Sequence, residues 1–229
     1  MLRFFADTDC DVTLEIAKKY GCDLISFPYE MKGELVYPYV DFENFDDKTY
    51  YGILRGGFIP STSALNEYDF TKAFEPAFAA GDDIIYFHYS RNLSASFSNM
   101  DKAVEELLKK YPERKFYGYD TKSMTIGALA MIIELLEMWK AGKSAEELLA
   151  AADEICPHYA TYFFSDDLKF FRKSGRVSNF SGILGNLVGI KPIIYISEKG
   201  TMDNISKIRG TKNAINALLN HLDELKAAD

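Results

Sequence analysis

The chain has 229 residues, 48% of them apolar, with 26 Lys and Arg against 34 Asp and Glu, a formal charge of −8. That length and apolar content suit one large or two small cored domains and exclude a disordered chain. The acidic balance argues against sequence-independent nucleic-acid binding and against adhesion to an anionic membrane, since both need cationic surface.

In chain order, residues 2–6 are apolar and end at Asp7, which predicts a strand followed by the polar turn Thr8-Asp9. Asp11 is placed to cap a helix over residues 12–20, with Gly21 as its left-handed stop. Residues 23–27 read as the next strand and residues 83–89 (DIIYFHY) as a buried one. A helix over residues 98–111 follows, on the spacing of Met100, Ala103, Val104, Leu107, Leu108 and Tyr111. Residues 115–119 make another strand and 125–140 a long apolar helix, too interrupted and too short to span a bilayer. Ser144 and Glu147 form a capping box for the helix after it. Near Pro157 the pattern restarts: a strand at 161–164, a helix at 166–173, a strand at 191–197, a turn at Gly200 and a helix over 211–228.

Strands that repeatedly feed helices imply an α/β fold with a parallel-rich sheet flanked by helices, plus a smaller second α/β domain. The expected domains are residues 1–157 and 158–229, with the boundary near 155–160.

The chemistry is concentrated in loops. Gly56 to Ser63 ends in three consecutive hydroxyls, Ser61, Thr62 and Ser63, which offer donors to an anion without a full charge. An ordinary turn uses the same residue types. The loop after DIIYFHY carries Ser90, Arg91, Ser94 and Ser96 where open α/β sheets hold ligands, at the C-terminal ends of strands. Helix capping by Ser94 or Ser96 explains it equally well. Arg176, Lys191 and Arg209 form a third candidate, a basic site for an anionic head group or a partner protein, although cations also simply complement a helix C-terminus.

Other signals are negative. Asp7, Asp9 and Asp11 lack the Gly and Glu of a calcium loop. His88, His158 and His221 lack metal spacing, and Cys10, Cys22 and Cys156 form no close pair. No nucleophile elbow, phosphate loop or dinucleotide fingerprint is present. The residues point to a binder rather than an enzyme, with no cofactor and no metal. The N-terminus has no apolar core of signal-peptide length, so the expected location is the cytoplasm, without stable membrane insertion.

Seven segments then match one family in order. Ala6-Asp7-Thr8-Asp9-Cys10-Asp11-Val12 resembles a TDSTCDL-like signature, Thr62-Ser63-Ala64-Leu65-Asn66 a TSQPS loop, and Ser90 to Phe97 an SSxLSGTY loop. Asp120 to Gly127 resembles a DS…S.G segment, Asp166 to Ser178 a DDLxYLxxGGRIS block, Ile190-Lys191-Pro192-Ile193 an IKPI strand, and Lys207-Ile208-Arg209-Gly210 a KxRG turn. The sequence thus resembles the DegV family of bacterial fatty-acid-binding proteins.

The resemblance implies a two-domain fold with an acyl chain buried in an apolar tunnel. It implies a carboxylate held by Thr62 and Ser94, and a separate fatty acid kinase that phosphorylates the presented carboxylate for phospholipid synthesis. Tunnel candidates are Phe27, Phe58, Ile59, Leu93, Phe97, Ile126, Phe164, Ile183, Leu184 and Leu187. Two departures stand out. The TSQPS loop lacks its Gln-Pro-Ser half, and the family's usual C-terminal unit with an HTGPG-like loop is absent before Asp229. The rival expectations are an α/β enzyme acting on a small phosphorylated or carboxylated metabolite, and a protein-interaction module.

Overall fold

The computed structural model describes residues 1–38, 46–165, 175–178 and 189–226. The expected helix over 166–173 and the tunnel candidates Ile183, Leu184 and Leu187 lie outside the described residues. The chain divides into two compact units, Met1–Tyr159 and Ala160–Asp229.

The first unit is built on β1 (Leu2–Asp7), β2 (Asp23–Ile25), β6 (Asp83–His88) and β7 (Phe116–Asp120), all parallel in the order β2-β1-β6-β7. Alternation along β1 shows why both faces are covered. Phe4 stacks on Phe87 and touches Trp139, while its neighbour Phe5 points the other way, edge-on to Phe74. Phe74 belongs to α3 (Glu67–Ala79), which packs against β6 and α4 (Ser96–Lys110). Trp139 belongs to α5 (Thr125–Lys140), which packs on β1, α1 (Leu14–Tyr20) and α6 (Ala145–Ile155). Phe4, Phe70, Phe74, Tyr86 and Phe87 are fully buried, so much of the aromatic content is core.

Two helix starts differ from expectation. The cap of α1 is Thr13, whose Oγ1 accepts from Ile16 N at 3.2 Å. Asp11, expected in that role, instead closes the 3-10 turn Thr8–Cys10 in the left-handed conformation, φ 54°. An Asp tolerates that backbone better than most non-glycine residues, and the helix therefore begins two residues later. Helix α4 begins at Ser96 rather than 98 and has no side-chain cap of its own.

Between β2 and α3 the chain makes an excursion that alternation and helical spacing did not reveal. It contains a three-stranded antiparallel sheet, β4-β3-β5, of β3 (Tyr29–Met31), β4 (Glu34–Val36) and β5 (Ser61–Thr62). It also contains α2 (Asp47–Arg55), none of whose residues is buried. Strands of two or three residues are too short to show a period.

The second unit holds a sheet in the order β8-β10-β11-β9, from β8 (Tyr162–Phe164), β9 (Val177–Ser178), β10 (Ile190–Ile196) and β11 (Met202–Arg209). Pairing is antiparallel except between β11 and β9. The hairpin turns at Gly200, and α7 (Thr211–Lys226) packs on β8, β10 and β11. Among the described residues no helix is long and apolar enough to cross a membrane.

Candidate functional site

The strand order places a topological switch between β1 and β6. From β1 the chain runs to β2 on one side and later returns to β6 on the other, so the loops leaving β1 and β6 splay apart. Crevices outside such carboxyl ends are where open α/β sheets hold ligands.

The β1 loop is organised by Asp7, which is fully buried. Its carboxylate accepts from Cys10 N at 2.9 Å, Tyr86 OH at 2.9 Å and Tyr89 N at 3.2 Å. It thereby ties the turn to β6. Burial nonetheless dominates these bonds and pushes its pKa up to about 6. Asp9, half-buried, is pushed up to about 7 by burial and by the negative charges of Asp7 and Asp11. Thr8 Oγ1 accepts from Phe27 N at 3.0 Å and fixes the exit of β2. Burial and the neighbouring aspartates also raise the Cys10 thiol, so it sits there as a small protonated packing group.

The loop after β6 is a chain of hydroxyls. Ser94 Oγ accepts from Ser96 N at 3.1 Å and lies 3.0 Å from Ser96 Oγ. Ser96 Oγ in turn accepts from Leu65 N at 3.0 Å, and Asn99 Nδ2 donates to Leu65 O at 2.8 Å. These two bonds fasten the Ser61–Ser63 loop beside the Ser94 loop. Thr62 is exposed on β5, opposite Tyr29, and Ser63 N donates to Pro28 O at 3.2 Å.

The hydroxyls thus have different positions. Thr62 and Ser61 are exposed, and Ser94 and Ser63 are half-buried. Ser96 is fully buried, and its oxygen accepts from Leu65 N in the loop-to-loop tie. Arg91 is engaged likewise. Its guanidinium is paired with Asp101, donates to Phe97 O at 3.4 Å and lies over the Phe97 ring, so its charge is compensated on α4.

Beneath the loops Phe27, Tyr89 and Phe97 pack edge-on or tilted, with centroids 4.9–6.2 Å apart, and Phe70 adds to Phe27 at 6.4 Å. Of the tunnel candidates in this unit, Phe27, Leu93 and Phe97 are buried, Phe58 and Ile59 half-buried, and Ile126 is 66% exposed. Ile126 therefore lines no enclosed space in the described structure. His88 stacks on Phe97 at 4.3 Å and donates from Nδ1 to Tyr89 O at 2.7 Å. Burial holds it neutral, with its pKa down to about 4. It is a satisfied core histidine, and among the described residues no His, Cys, Asp and Glu cluster is arranged for a metal.

The loop after β7 is tied to the end of β6. Thr121 Oγ1 donates to His88 O at 2.9 Å and Ser90 N donates to Ser123 O at 2.8 Å. Here Lys122 and Thr125 both take left-handed backbone, φ 50° and 51°. For the β-branched Thr125 that conformation is strained.

The three basic residues do not form one patch. In the β10–β11 register Lys191 is opposite Ile208 and Ile190 opposite Arg209, so Lys191 and Arg209 belong to opposite faces. Arg176 precedes β9, whose first residue pairs with Met202 at the far end of β11. About seven strand residues at ~3.3 Å each, roughly 23 Å, separate that end from Arg209. The three residues share family-like motifs in an acidic chain, but the strand register sets them apart.

Sequence reasoning also missed Asp7, Tyr86 and the Tyr89 backbone as one network, having considered the aspartates only as cation ligands. The signal available was position: an acid ending a buried strand beside a second buried strand rich in Tyr needs donors.

Comparison with known proteins now adds to this geometry. A DegV domain-containing protein of Clostridium perfringens is 29% identical over 220 residues, covering 96% of this chain and 75% of its own length. A solved DegV lipid-binding protein from Thermotoga maritima superposes with a TM-score of 0.80 at 25% identity, covering 97% of this chain and 76% of that one. A solved stearic-acid-binding protein from Eubacterium ventriosum superposes with a TM-score of 0.84 at 20% identity, covering 98% and 76%. The family model described as "Uncharacterised protein, DegV family" matches residues 2–229, and the chain belongs to the DegV family.

Proposed function

We propose that this protein binds a long-chain fatty acid, burying the acyl chain against apolar side chains and holding the carboxylate at the Thr62–Ser63 and Ser94 loops. One observation carries the reading. Two hydroxyl loops from distant parts of the sequence are pinned together by Leu65 N on Ser96 Oγ, at the topological switch of a parallel sheet. Aromatic rings lie directly beneath them.

The chemistry fits an amphiphile with one anionic end. Each buried CH₂ contributes about 0.8 kcal/mol, so an acyl chain of sixteen or so carbons needs apolar lining more than polar contacts. A single carboxylate then needs a few hydroxyl donors to offset its desolvation. Solved relatives described as binding stearic acid and lipid support the ligand class. Exposure of Thr62 leaves the head group accessible. On that basis the protein is a carrier and not itself an enzyme. A separate fatty acid kinase phosphorylates the presented carboxylate, feeding phospholipid synthesis.

Mass spectrometry of the purified protein under native and denaturing conditions tests the reading. The expected result is one long-chain fatty acid per chain. A tightly held polar phosphorylated metabolite, or a protein that takes up no fatty acid when offered it, contradicts it.

A further inference from the structure

The tie between the two hydroxyl loops has two sides, and they differ in what else they touch. Leu65 is buried, and both of its backbone polar groups go to side chains of α4. Its N–H donates to Ser96 Oγ at 3.0 Å, and its carbonyl accepts from Asn99 Nδ2 at 2.8 Å. Residues three apart on a helix share a face, so Ser96 and Asn99 grip Leu65 together. The Ser96 side is bound up with Ser94 itself, whose Oγ accepts from Ser96 N at 3.1 Å and lies 3.0 Å from Ser96 Oγ. The Asn99 side is separate: among the described residues, its amide bonds Leu65 O and no part of Ser94.

Thr62 is exposed on a strand of two residues, so its place depends on the anchors that follow it. Ser63 N donates to Pro28 O at 3.2 Å, which ties the loop to the chain before β3. Asn66 and Asp69 cap each other at the start of α3. Leu65 is the anchor that reaches α4, the helix into which Ser94 leads. Two donors can share one carboxylate only at a set spacing, because hydrogen bonds weaken steeply outside their normal length and angle.

We propose that Asn99 is a positioning residue of the carboxylate site: by holding Leu65 O against α4, it sets the Thr62 hydroxyl at its working distance from Ser94. The inference rests on the reading of Thr62 and Ser94 as the carboxylate contacts. Asn99 lies outside all seven segments that match the family. Its residue type also runs against its setting, since Ala or Leu would suit a helix better than Asn. The bond to Leu65 O accounts for that choice.

The test is a calorimetric titration of four proteins with palmitate and with hexadecanol: wild type, Asn99→Ala, Thr62→Ala and the double variant. Asn99→Ala should weaken palmitate by about three- to tenfold, the size of one hydrogen bond, and hexadecanol far less. Ala does not weaken the helix, and retained hexadecanol binding reports that the apolar site is folded. Thr62→Ala should weaken palmitate by about tenfold. Adding Asn99→Ala to it should cost little more, because no hydroxyl is then left at Thr62 to place. An asparagine that served only stability would add its full loss in either background. Asn99→Asp keeps the shape without the N–H donor, and at about pH 8 it should lose at least as much palmitate affinity as Asn99→Ala.

Undiminished palmitate affinity in Asn99→Ala or Asn99→Asp, an equal loss for hexadecanol, or losses that add in the double variant overturns the proposal. A loss in Thr62→Ala without one in Asn99→Ala overturns this inference alone. If Thr62→Ala itself binds palmitate as the wild type does, the carboxylate reading fails and this inference with it.

Discussion

Asp7 shows what a single residue must do to hold the crevice together. Its carboxylate accepts three hydrogen bonds from two segments, and no other side-chain type of its size accepts that many. Removing one donor by Tyr86→Phe should cost about 1.5–3 kcal/mol near pH 8, where the bond goes to a charged acceptor. Below about pH 6, where Asp7 is protonated, the cost should be smaller; denaturant unfolding at both pH values checks it.

The titrations of Asp7 and Asp9 also set a pH dependence. Both have folded pKa values above the ordinary 3.8, at about 6 and about 7, so between those limits the folded state holds more protons than the unfolded one. Their contribution to stability therefore falls as pH rises through that window. His88 has the opposite sign: its folded pKa, about 4, lies below the usual 6.5, so its contribution is lost as pH falls through that interval. Asp9→Asn is expected to reduce the drop in Tm between about pH 5 and about pH 8. An unchanged drop would place the titration elsewhere. None of this was legible in the sequence, where three alternating aspartates look alike; only burial and the reach of Tyr86 and Tyr89 separate them.

At the scale of elements, periodicity served long segments and failed short ones. The strands at Leu2–Asp7, Asp83–His88 and Phe116–Asp120 and the helix Thr125–Lys140 were readable because their burial imposes continuous apolar patterns. Helix α3, absent from the sequence expectations, carries readable signals. These are the Asn66–Asp69 capping box and Phe70, Phe74, Ala77 and Phe78 at helical spacing. Asp11 and Thr13 both have side chains suited to capping, and the choice between them depended on the left-handed turn before the helix. Thr13→Ala should accordingly destabilise the protein by about 0.5–2 kcal/mol, a loss that thermal unfolding would register.

Ser96 illustrates the same limit at the site. Its hydroxyl matched a ligand-loop motif, yet its place at the start of α4 turns it inward to Leu65 N. Ser96→Ala leaves that buried N–H without its acceptor, at a cost of about 1–3 kcal/mol in stability. It should also loosen the Thr62 loop and weaken fatty-acid binding. Full stability together with full binding would show that another group holds the two loops in register.

For the whole molecule, the parallel sheet with flanking helices was accessible from alternation of strand and helix patterns. What bound there was not, because a hydroxyl cluster serves as cap, turn or anion site by the same physics. The family resemblance narrowed that choice, and the structure supplies the geometry: hydroxyls above, aromatic rings below, at the sheet's switch point. The basic residues show the reverse case. Each sits in a motif that matches the family, but the strand register sets Lys191 and Arg209 on opposite faces and Arg176 toward the other end of β11.

The central claim is that hydroxyls at Thr62 and Ser94 hold the carboxylate while apolar surface holds the chain. Calorimetric titration of the Thr62→Ala/Ser94→Ala double variant with palmitate and with hexadecanol tests it most directly. At about 1–2 kcal/mol per lost charge-assisted bond, palmitate should weaken by about 2–4 kcal/mol, while hexadecanol, which brings no charge, should change far less. Unchanged palmitate affinity in the folded double variant, or an equal loss for the alcohol, would contradict the account.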